Sequence, residues 1–316
     1  MGQPPVADLP HFRPSSVDDL APSGAKGRAI ANLVSIDLVR RLDAERRAAT
    51  ESEQAQLARF GSWGAIPEIF DESKPQWTRE RDRLKELLTD TEYAAASRTT
   101  INAHYTDPVI AAAMWDTVTE LGFDGGDVLE PGCGSGHFIG LAPEGARMVG
   151  VELDPISAKV ASYLYPSAVI RTESFADTRL PDGTFDVAIG NVPFDKVSLS
   201  DPRHNLAGHS MHNHFLVKSV ALTRPGGLIV ALTSRYTLDA QNPSARRAIH
   251  DHADLLGAIR LPTGAHQRMA GTQAVTDLLI LRKRPEGQRP RDDAWVTTTP
   301  RMIDGEKVRI NTYFDV

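Results

Sequence analysis

The sequence predicts an α/β protein with a mostly parallel, doubly wound sheet. From about residue 100 onward, short apolar segments alternate with segments of helical periodicity, a pattern typical of a parallel sheet with crossover helices. A glycine-rich turn follows the first apolar segment, at the end of a strand where such sheets bind ligands. Two further apolar segments close the series without a helix between them, so we expect them to pair antiparallel.

The elements follow one another in a regular order. Parallel strands are predicted at residues 127–130, 147–151, 168–171, 185–190 and 228–233. Helices are predicted between them at residues 108–121, 155–163 and 212–222. The closing pair of strands is predicted at residues 255–261 and 277–282, which gives a seven-stranded sheet with a C-terminal antiparallel hairpin.

The flanks differ in composition from this core. Residues 1–25 are rich in proline and predict a flexible arm, and residues 26–95 predict a helical N-terminal extension. Residues 96–284 hold the alternating elements and form the predicted main domain. Residues 285–316 are polar and contain proline, so they predict a linker or tail with at most a short hairpin.

Bulk properties restrict the class of protein. The apolar fraction of 41% and the charged fraction of 24% are ordinary for a globular chain with a real core. A single cysteine excludes an internal disulfide and fits a reducing cytoplasm, and no run of about 18 apolar residues predicts a membrane span. The net charge of −6 argues mildly against a dedicated nucleic-acid binder, although local charge can override the total.

The strongest local signal is the turn at residues 130–138, which reads Glu-Pro-Gly-Cys-Gly-Ser-Gly-His-Phe. Its glycines, Gly132, Gly134 and Gly136, allow a tight turn and a close approach of the backbone to a ligand. Glu130 opens the turn. Dinucleotide-binding folds use a similar turn, so this motif alone predicts a nucleotide-like ligand and not its identity.

Two carboxylates extend the candidate ligand site. Glu152 ends the second strand, where an acid can accept hydrogen bonds from both ribose hydroxyls of a nucleoside. Asp177 follows the third strand and could accept from an adenine amino group. Glu152 would serve NAD equally well, and Asp177 considered alone is more often a solvated turn residue.

The fourth strand runs directly into Asn191, Val192, Pro193 and Phe194. This segment resembles the hallmark of the amino-methyltransferases, which is Asn or Asp, two prolines and an aromatic residue. The resemblance implies S-adenosylmethionine as cofactor and no metal. An exocyclic amino nitrogen is a poor nucleophile, and two acceptors that bind its hydrogens favour the attacking geometry. The Asn191 side chain and the Val192 carbonyl would be those acceptors, and Phe194 would stack on the target base.

Val192 departs from the family pattern, which has proline at this position. The chemistry requires a carbonyl group, which valine also carries. Because Val192 precedes Pro193, its backbone remains biased toward extended geometry.

The resemblance extends to other segments. Residues 104–108 resemble the segment that caps the cofactor, in which Tyr105 and Thr106 would contact it and the Thr106 hydroxyl would bind the methionine carboxylate. Their position before the glycine-rich turn implies the gamma group of N6-adenine DNA methyltransferases. Residues 57–64 and 310–314 resemble large phage- and plasmid-encoded proteins in which a methylase domain precedes a helicase. The expected partners are therefore DNA and a helicase or target-recognition domain or subunit.

Two further groups are candidates for contact with the substrate. His204, His209, His212 and His214 lack a cysteine partner and have irregular spacing, so we expect a wall of the base pocket, with His212 in it, and no zinc site. Residues 258–291 hold seven arginines or lysines against two acids. Their Arg282, Lys283 and Arg284 suit a phosphate backbone, and a solvated hairpin end explains them equally well.

The sequence leaves other substrates open. Cytosine N4, RNA and the glutamine amide of a protein present the same amino chemistry. A non-catalytic module that binds S-adenosylmethionine or DNA within a larger methylase–helicase assembly is the remaining alternative.

Overall fold

In the computed structural model, the strands of the main sheet closely follow the predicted apolar segments. The structure describes residues 11–14, 17–20, 22, 24–102, 106–264, 274–303 and 305–314. The strands are β1 (Gly126–Pro131), β2 (Ala146–Glu152), β3 (Val169–Thr172), β4 (Phe185–Asn191), β5 (Thr223–Ser234), β6 (Ala253–Arg260) and β7 (Thr276–Lys283). Their order in the sheet is β3-β2-β1-β4-β5-β7-β6. This confirms the predicted fold class.

Helices cover the sheet and precede it in the chain. They are α1 (Val17–Leu20), α2 (Ala25–Glu45), α3 (Glu51–Leu57), α4 (Thr78–Leu87), α5 (Asp90–Asn102), α6 (Pro108–Glu120), α7 (His137–Gly140), α8 (Pro155–Leu164), α9 (Met211–Leu222), α10 (Tyr236–Asp239) and α11 (Ser244–His250). Short 3₁₀ turns lie at Pro67–Phe70, Pro75–Trp77, Ala294–Val296 and Thr312–Phe314. None of the helices in the described part of the chain is long and apolar enough to cross a membrane.

Local signals explain where the crossover helices begin. The Asp107 side chain accepts from the Val109 amide at 2.9 Å, and Pro108 occupies the first turn of α6. The Asp154 side chain accepts from the Ser157 amide at 2.8 Å and caps α8 in the same way. An acidic cap followed by proline satisfies the exposed amides and supplies a suitable φ angle, so both starts could be predicted.

Strand direction decides which residues reach each edge of the sheet. Strands β1 to β5 run parallel and end at one edge, which we call the carboxyl edge. Strand β7 pairs antiparallel with both β5 and β6, as predicted for the closing hairpin. Thr276 therefore faces Ser234 at the carboxyl edge, and Arg282 faces Leu228 at the opposite edge.

The N-terminal helices pack on the sheet domain and share its core. Buried apolar residues of α2 belong to the same hydrophobic cluster as α8 and β1. The Gln54 side chain donates to the Tyr163 carbonyl at 3.0 Å, and the Tyr163 hydroxyl donates to Asp43 at 2.6 Å. Because the boundary predicted at residue 95 falls inside α5, the helical extension continues without a break toward the main domain.

The described parts of the two flanking segments make more contacts with the domain than the sequence predicts. In the predicted flexible arm, the Phe12 amide donates to the Leu164 carbonyl at 3.1 Å and Leu20 is buried, while residues 1–10 lie outside the described part. The predicted linker forms the hairpin β8 (Thr298–Ile303) and β9 (Glu306–Asn311). Trp295 and Asn311 are buried, and the Asn311 side-chain amide donates to the Leu238 carbonyl at 2.8 Å. Apolar and amide anchors within otherwise polar segments hold these flanks to the domain.

Candidate active site

A cavity of about 450 Å³ opens at the carboxyl edge, within the size range of small-molecule sites. The glycine-rich turn, the ends of β2 and β4, helix α5 and the loop after β4 form its walls. Seven of the sixteen predicted site residues line it: Thr106, Glu130, Gly132, Gly134, Glu152, Asn191 and Pro193. Tyr105 lies outside the described residues.

The glycine-rich turn brings its backbone onto the second carboxylate. Gly134 has a φ of 55°, and its amide donates to Glu152 at 2.8 Å. Gly136 has a φ of 85°, and a Cβ there would lie 2.6 Å from the Tyr165 ring. Only glycine satisfies both demands at Gly136, which explains the third glycine of the motif.

Glu152 is held in place by backbone amides. One carboxylate oxygen accepts from Gly134, and the other accepts from the Asp154 amide at 2.7 Å. Burial raises the pKa of Glu152 to about 7, although these two bonds oppose the shift. An oriented carboxylate on the cavity wall can accept from the hydroxyls of a ribose.

Glu130 and Thr106 present polar atoms that lack partners among the described residues. Glu130 is 3% exposed, and burial together with the Glu152 charge raises its pKa well above the usual range. Its Oε2 atom and the Thr106 hydroxyl are buried without a hydrogen bond to any described residue. Buried polar atoms are normally paired, so these two atoms fit a ligand that is itself polar. S-adenosylmethionine supplies such groups through its ribose hydroxyls and its amino-acid end.

The predicted catalytic segment begins where β4 ends. Asn191 pairs in register with Leu232 of β5 and lines the cavity together with Pro193. Val192 is 2% exposed, and its amide donates to the Leu232 carbonyl at 3.1 Å. Proline has no amide hydrogen, so valine here adds one hydrogen bond between β4 and β5. Phe194 is partly buried against the neighbouring hydrophobic cluster and is absent from the described lining of the cavity.

The loop after β4 forms an ordered, largely apolar wall. Val197, Leu199 and Met211 line the cavity. The Asn205 side-chain amide donates to the Leu199 carbonyl at 2.8 Å and to the His209 carbonyl at 3.1 Å. This buried amide closes the loop on itself, so the wall is shaped before any ligand arrives.

The histidines of this region serve the protein's own structure. His212 is buried, its Nδ1 atom lies 3.2 Å from the Asp195 carbonyl, and burial lowers its pKa. It is not among the described lining residues of the cavity. The Nε2 atom of His214 lies 3.1 Å from Asp201, which also contacts His204. Across the described ranges, no His, Cys, Asp and Glu side chains group as a metal site would require.

A buried lysine joins two walls of the cavity. Lys218 of α9 has no exposed side-chain surface and donates to Asp201 at 2.9 Å. It also donates to the carbonyls of Phe175, Ala176 and Thr178 at 2.5 to 3.2 Å. Phe175 lines the cavity, so the lysine fixes the segment after β3 against the loop after β4. Sequence reasoning missed Lys218, for which a charged residue within an otherwise buried helix was the available signal.

Asp177 lies apart from the cavity. It is exposed, and its amide donates to the Ser174 carbonyl within a turn at 2.9 Å. Its neighbours Ser174 and Phe175 line the cavity instead. The turn therefore directs the backbone and the aromatic ring inward and the carboxylate outward.

The predicted phosphate contacts lie at the wrong edge of the sheet. Arg282 donates to the Leu121 carbonyl at 3.1 Å, and Lys283 donates to the Val220 carbonyl at 2.8 Å. Arg284 is buried and pairs with Asp254 at 2.8 Å. Because β7 runs antiparallel, its last residues lie at the edge opposite the cavity and not beside the base pocket, where the sequence predicted them.

Helix α5 and the loop after α3 supply cavity residues that sequence reasoning did not select. They are Ser62, Ala95, Arg98 and Thr99. In the sequence, residues 57–64 indicate only a resemblance to phage- and plasmid-encoded proteins, and they do not predict a role in the site. The N-terminal helical layer is thus a wall of the cavity.

Comparison with known proteins shows a match to a family of methyltransferase domains over part of the chain. The family described as "Methyltransferase domain" matches residues 129–231. A putative class I S-adenosylmethionine-dependent methyltransferase from Listeria monocytogenes has a similar fold, with a TM-score of 0.50 and 17% identity over 85% of this chain and 91% of that one. The shared fold and the matched domain imply S-adenosylmethionine as the cofactor.

Three curated relatives match parts of the chain. "Defense against restriction protein B" of Escherichia phage P1 is 29% identical over 191 residues, 58% of this chain and 8% of that protein. The rRNA N(6)-adenosine-methyltransferase metl-5 of Caenorhabditis elegans is 28% identical over 48% of this chain and 73% of its own length. Type II methyltransferase M.CvrRI of Paramecium bursaria Chlorella virus XZ-6E is 39% identical over 24% of this chain and 20% of its own length. The matches to the two viral proteins thus span less than two thirds of those proteins.

Proposed function

We propose that this chain, a class I S-adenosylmethionine-dependent methyltransferase by its fold and its matched domain, methylates an exocyclic amino nitrogen, N6 of adenine in DNA. The observation that carries the proposal is the position of Asn191 and Pro193. Both line the same cavity as the glycine-rich turn and Glu152. A candidate acceptor of amino hydrogens therefore lies on the wall of the pocket that fits the cofactor.

The chain's residues would act mainly through hydrogen bonding and positioning. S-adenosylmethionine supplies a methyl group on a sulfonium, which is already a strong electrophile. The Asn191 side-chain oxygen and the Val192 carbonyl would accept the two hydrogens of the amino group. Preorganised acceptors of this kind act where charge develops in the transition state. The hydrogen bond from the Val192 amide to Leu232 stabilises the segment in that position.

The apolar wall fits a flat aromatic base. Val197, Leu199 and Met211 form one side of the cavity on a loop that is closed by its own hydrogen bonds. Phe194 lies next to this wall in sequence and is only partly buried. Its ring would stack on an extruded base, an interaction worth about 1–3 kcal/mol per base.

The relatives support adenine and leave the choice between DNA and RNA to experiment. One relative is named as an N6-adenosine methyltransferase of rRNA. The names of two others refer to defence against restriction and to a type II methyltransferase. We favour DNA because residues 104–108 precede the glycine-rich turn, a motif order that resembles the gamma group of N6-adenine DNA methyltransferases. Adenosine in RNA is the second candidate, which the rRNA methyltransferase specifically favours.

Target recognition would come from outside the cavity. The match covers only 8% of the phage P1 protein, so most of that relative has no counterpart in this alignment. The chain carries a net charge of −6, which disfavours strong binding to nucleic acid without help. We therefore propose a helicase or target-recognition domain or subunit as partner, in a restriction-modification or defence context.

Nucleoside analysis tests this function. The purified chain would be incubated with methyl-labelled S-adenosylmethionine and either single-stranded DNA or RNA, and the digested nucleosides would be separated by mass spectrometry. We expect label in N6-methyldeoxyadenosine and its loss in Asn191→Ala, with cofactor affinity nearly unchanged. Label in N4-methylcytosine, in protein glutamine or only in RNA would overturn the assignment to DNA adenine. A folded Asn191→Ala variant with a normal rate would overturn the mechanism.

A further inference from the structure

We propose that Arg98, on helix α5 of the N-terminal helical layer, is the cation that binds the methionine carboxylate of S-adenosylmethionine. The inference rests on the cofactor and is independent of which amino group receives the methyl. It assigns a role to a part of the chain that lies before the matched methyltransferase domain at residues 129–231.

The first observation is the placement of helix α5. Ala95, Arg98 and Thr99 are spaced so that they share one face of the helix, and all three line the cavity. Thr106, whose buried hydroxyl has no partner among the described residues, lines the same cavity a few residues later in the chain. The helix thus places the exposed Arg98 on the wall of the cavity that holds this hydroxyl.

The second observation is the charge of the cavity. Arg98 is the only arginine or lysine among its described lining residues, whereas Glu130, Glu152 and Asp154 are three of its acids. Arg98 forms no ion pair or hydrogen bond with another described residue. The cofactor's amino-acid end carries a carboxylate that needs a positive partner on this acidic wall. A guanidinium can bind a carboxylate through two parallel hydrogen bonds.

The third observation is the strained loop that supports α5. Ser62 has a φ of 53°, which is unfavourable for any residue other than glycine. The fully buried Asn32 maintains it by donating to the Ser62 carbonyl at 2.5 Å and accepting from the Gly61 amide at 2.9 Å. The Ser62 hydroxyl lies 3.1 Å from that of Thr99, the neighbour of Arg98. Strain held in this way at a cavity wall indicates that the position of α5 matters for binding.

Two ligands that differ in the carboxylate provide the test. S-adenosylhomocysteine carries the amino-acid end, and 5′-methylthioadenosine keeps the nucleoside and sulfur but lacks the carboxylate and ammonium. Calorimetric titration should show that Arg98→Gln weakens S-adenosylhomocysteine binding roughly 10- to 100-fold, the scale for a hydrogen bond to a charged group. Binding of 5′-methylthioadenosine should be unchanged. Arg98→Lys should restore part of the loss, and Arg79→Gln, at an exposed arginine of the same layer, should have no effect on either ligand.

Each other outcome overturns the proposal. Equal weakening of both ligands would mean that Arg98 only supports the structure. Unchanged binding of S-adenosylhomocysteine with weaker binding of a DNA oligonucleotide would make Arg98 a phosphate contact. Because the titrations with S-adenosylhomocysteine and 5′-methylthioadenosine involve no methyl acceptor, a negative result leaves the proposed reaction on adenine intact. Failure of that reaction likewise leaves these two titrations informative.

Discussion

Replacement of the buried lysine under the cavity tests how the active site is held together. Lys218→Met keeps a side chain of similar length and removes the charge and all donors. Asp201 would keep the Arg203 amide at 3.0 Å and His214 at 3.1 Å but lose its lysine partner at 2.9 Å. Three backbone carbonyls of the segment after β3 would lose the same donor.

The expected loss follows from the burial of both partners. Neither side chain of the Lys218–Asp201 pair has exposed surface. Removing one partner of a buried pair costs about 3–5 kcal/mol, because the other charge is left uncompensated. The carbonyls add to this cost but are not independent of the pair, so we expect a total of about 4–5 kcal/mol. Lys283→Met removes a lysine that donates to one carbonyl, and should cost about 1 kcal/mol.

Urea unfolding provides the assay, with the free energy of unfolding obtained from the midpoint and slope. The double variant Lys218→Met with Asp201→Asn removes the uncompensated carboxylate and should be more stable than the sum of the two single changes predicts. A loss below about 1 kcal/mol in Lys218→Met would contradict the buried-pair reasoning. Strict additivity in the double variant would show that the two side chains do not interact.

Two further predictions follow from the site. Burial places the pKa of Glu152 near 7, above its unfolded value, so in the unliganded protein this carboxyl contributes stability at low pH that is lost as pH rises through 7. A nucleoside that donates hydrogen bonds to the ionised carboxylate should bind more tightly at pH 8 than at pH 6, and its binding should release a proton. Calorimetric titration in two buffers of different ionisation enthalpy would detect this proton in the wild type and not in Glu152→Gln. Reversal of residues 282–284 to glutamate should leave nucleic-acid affinity and its salt dependence unchanged but lower the unfolding midpoint, because Arg284 pairs with the buried Asp254. If a stably folded reversal variant showed a weaker salt dependence of nucleic-acid affinity, residues 282–284 would belong to the binding surface after all.

The sequence predicts the elements whose signals are local. The predicted start of α8 agrees with its observed start at Pro155, and the predicted end of β1 lies close to its observed end at Pro131. Both are predictable because apolar runs and helix caps consist of residues that are adjacent in the sequence. Strand β5 begins at Thr223, several residues before the predicted position, because Thr223 pairs with Phe185 across the sheet. Such an extension depends on the neighbouring strand and leaves no local signal.

The missed parts of the site depend on tertiary packing. Helix α5 has only a weak amphipathic pattern, and its contribution of Arg98 to the cavity follows from how the N-terminal layer packs on α8. In the sequence, Lys218 is one polar position in an apolar helix. Its role becomes evident only from the backbone carbonyls that surround it in the structure. The catalytic segment that begins at Asn191 could be predicted because the strand, its end and the residues that carry the chemistry are contiguous in the sequence.

The direction of β7 also indicates where a nucleic acid would have to approach. The sequence predicts an antiparallel closing pair, and that pairing by itself moves residues 282–284 away from the strand ends that form the cavity. At the carboxyl edge, the exposed Lys196 lies shortly after the catalytic segment, and Arg235 follows the end of β5, the strand next to β4. The Arg235 guanidinium lies 4.9 Å from the ring centre of Tyr236, which is half exposed. A cation and an aromatic ring beside the base pocket suit a phosphate and a neighbouring base, so the proposed substrate should meet the protein at this edge despite the chain's net negative charge.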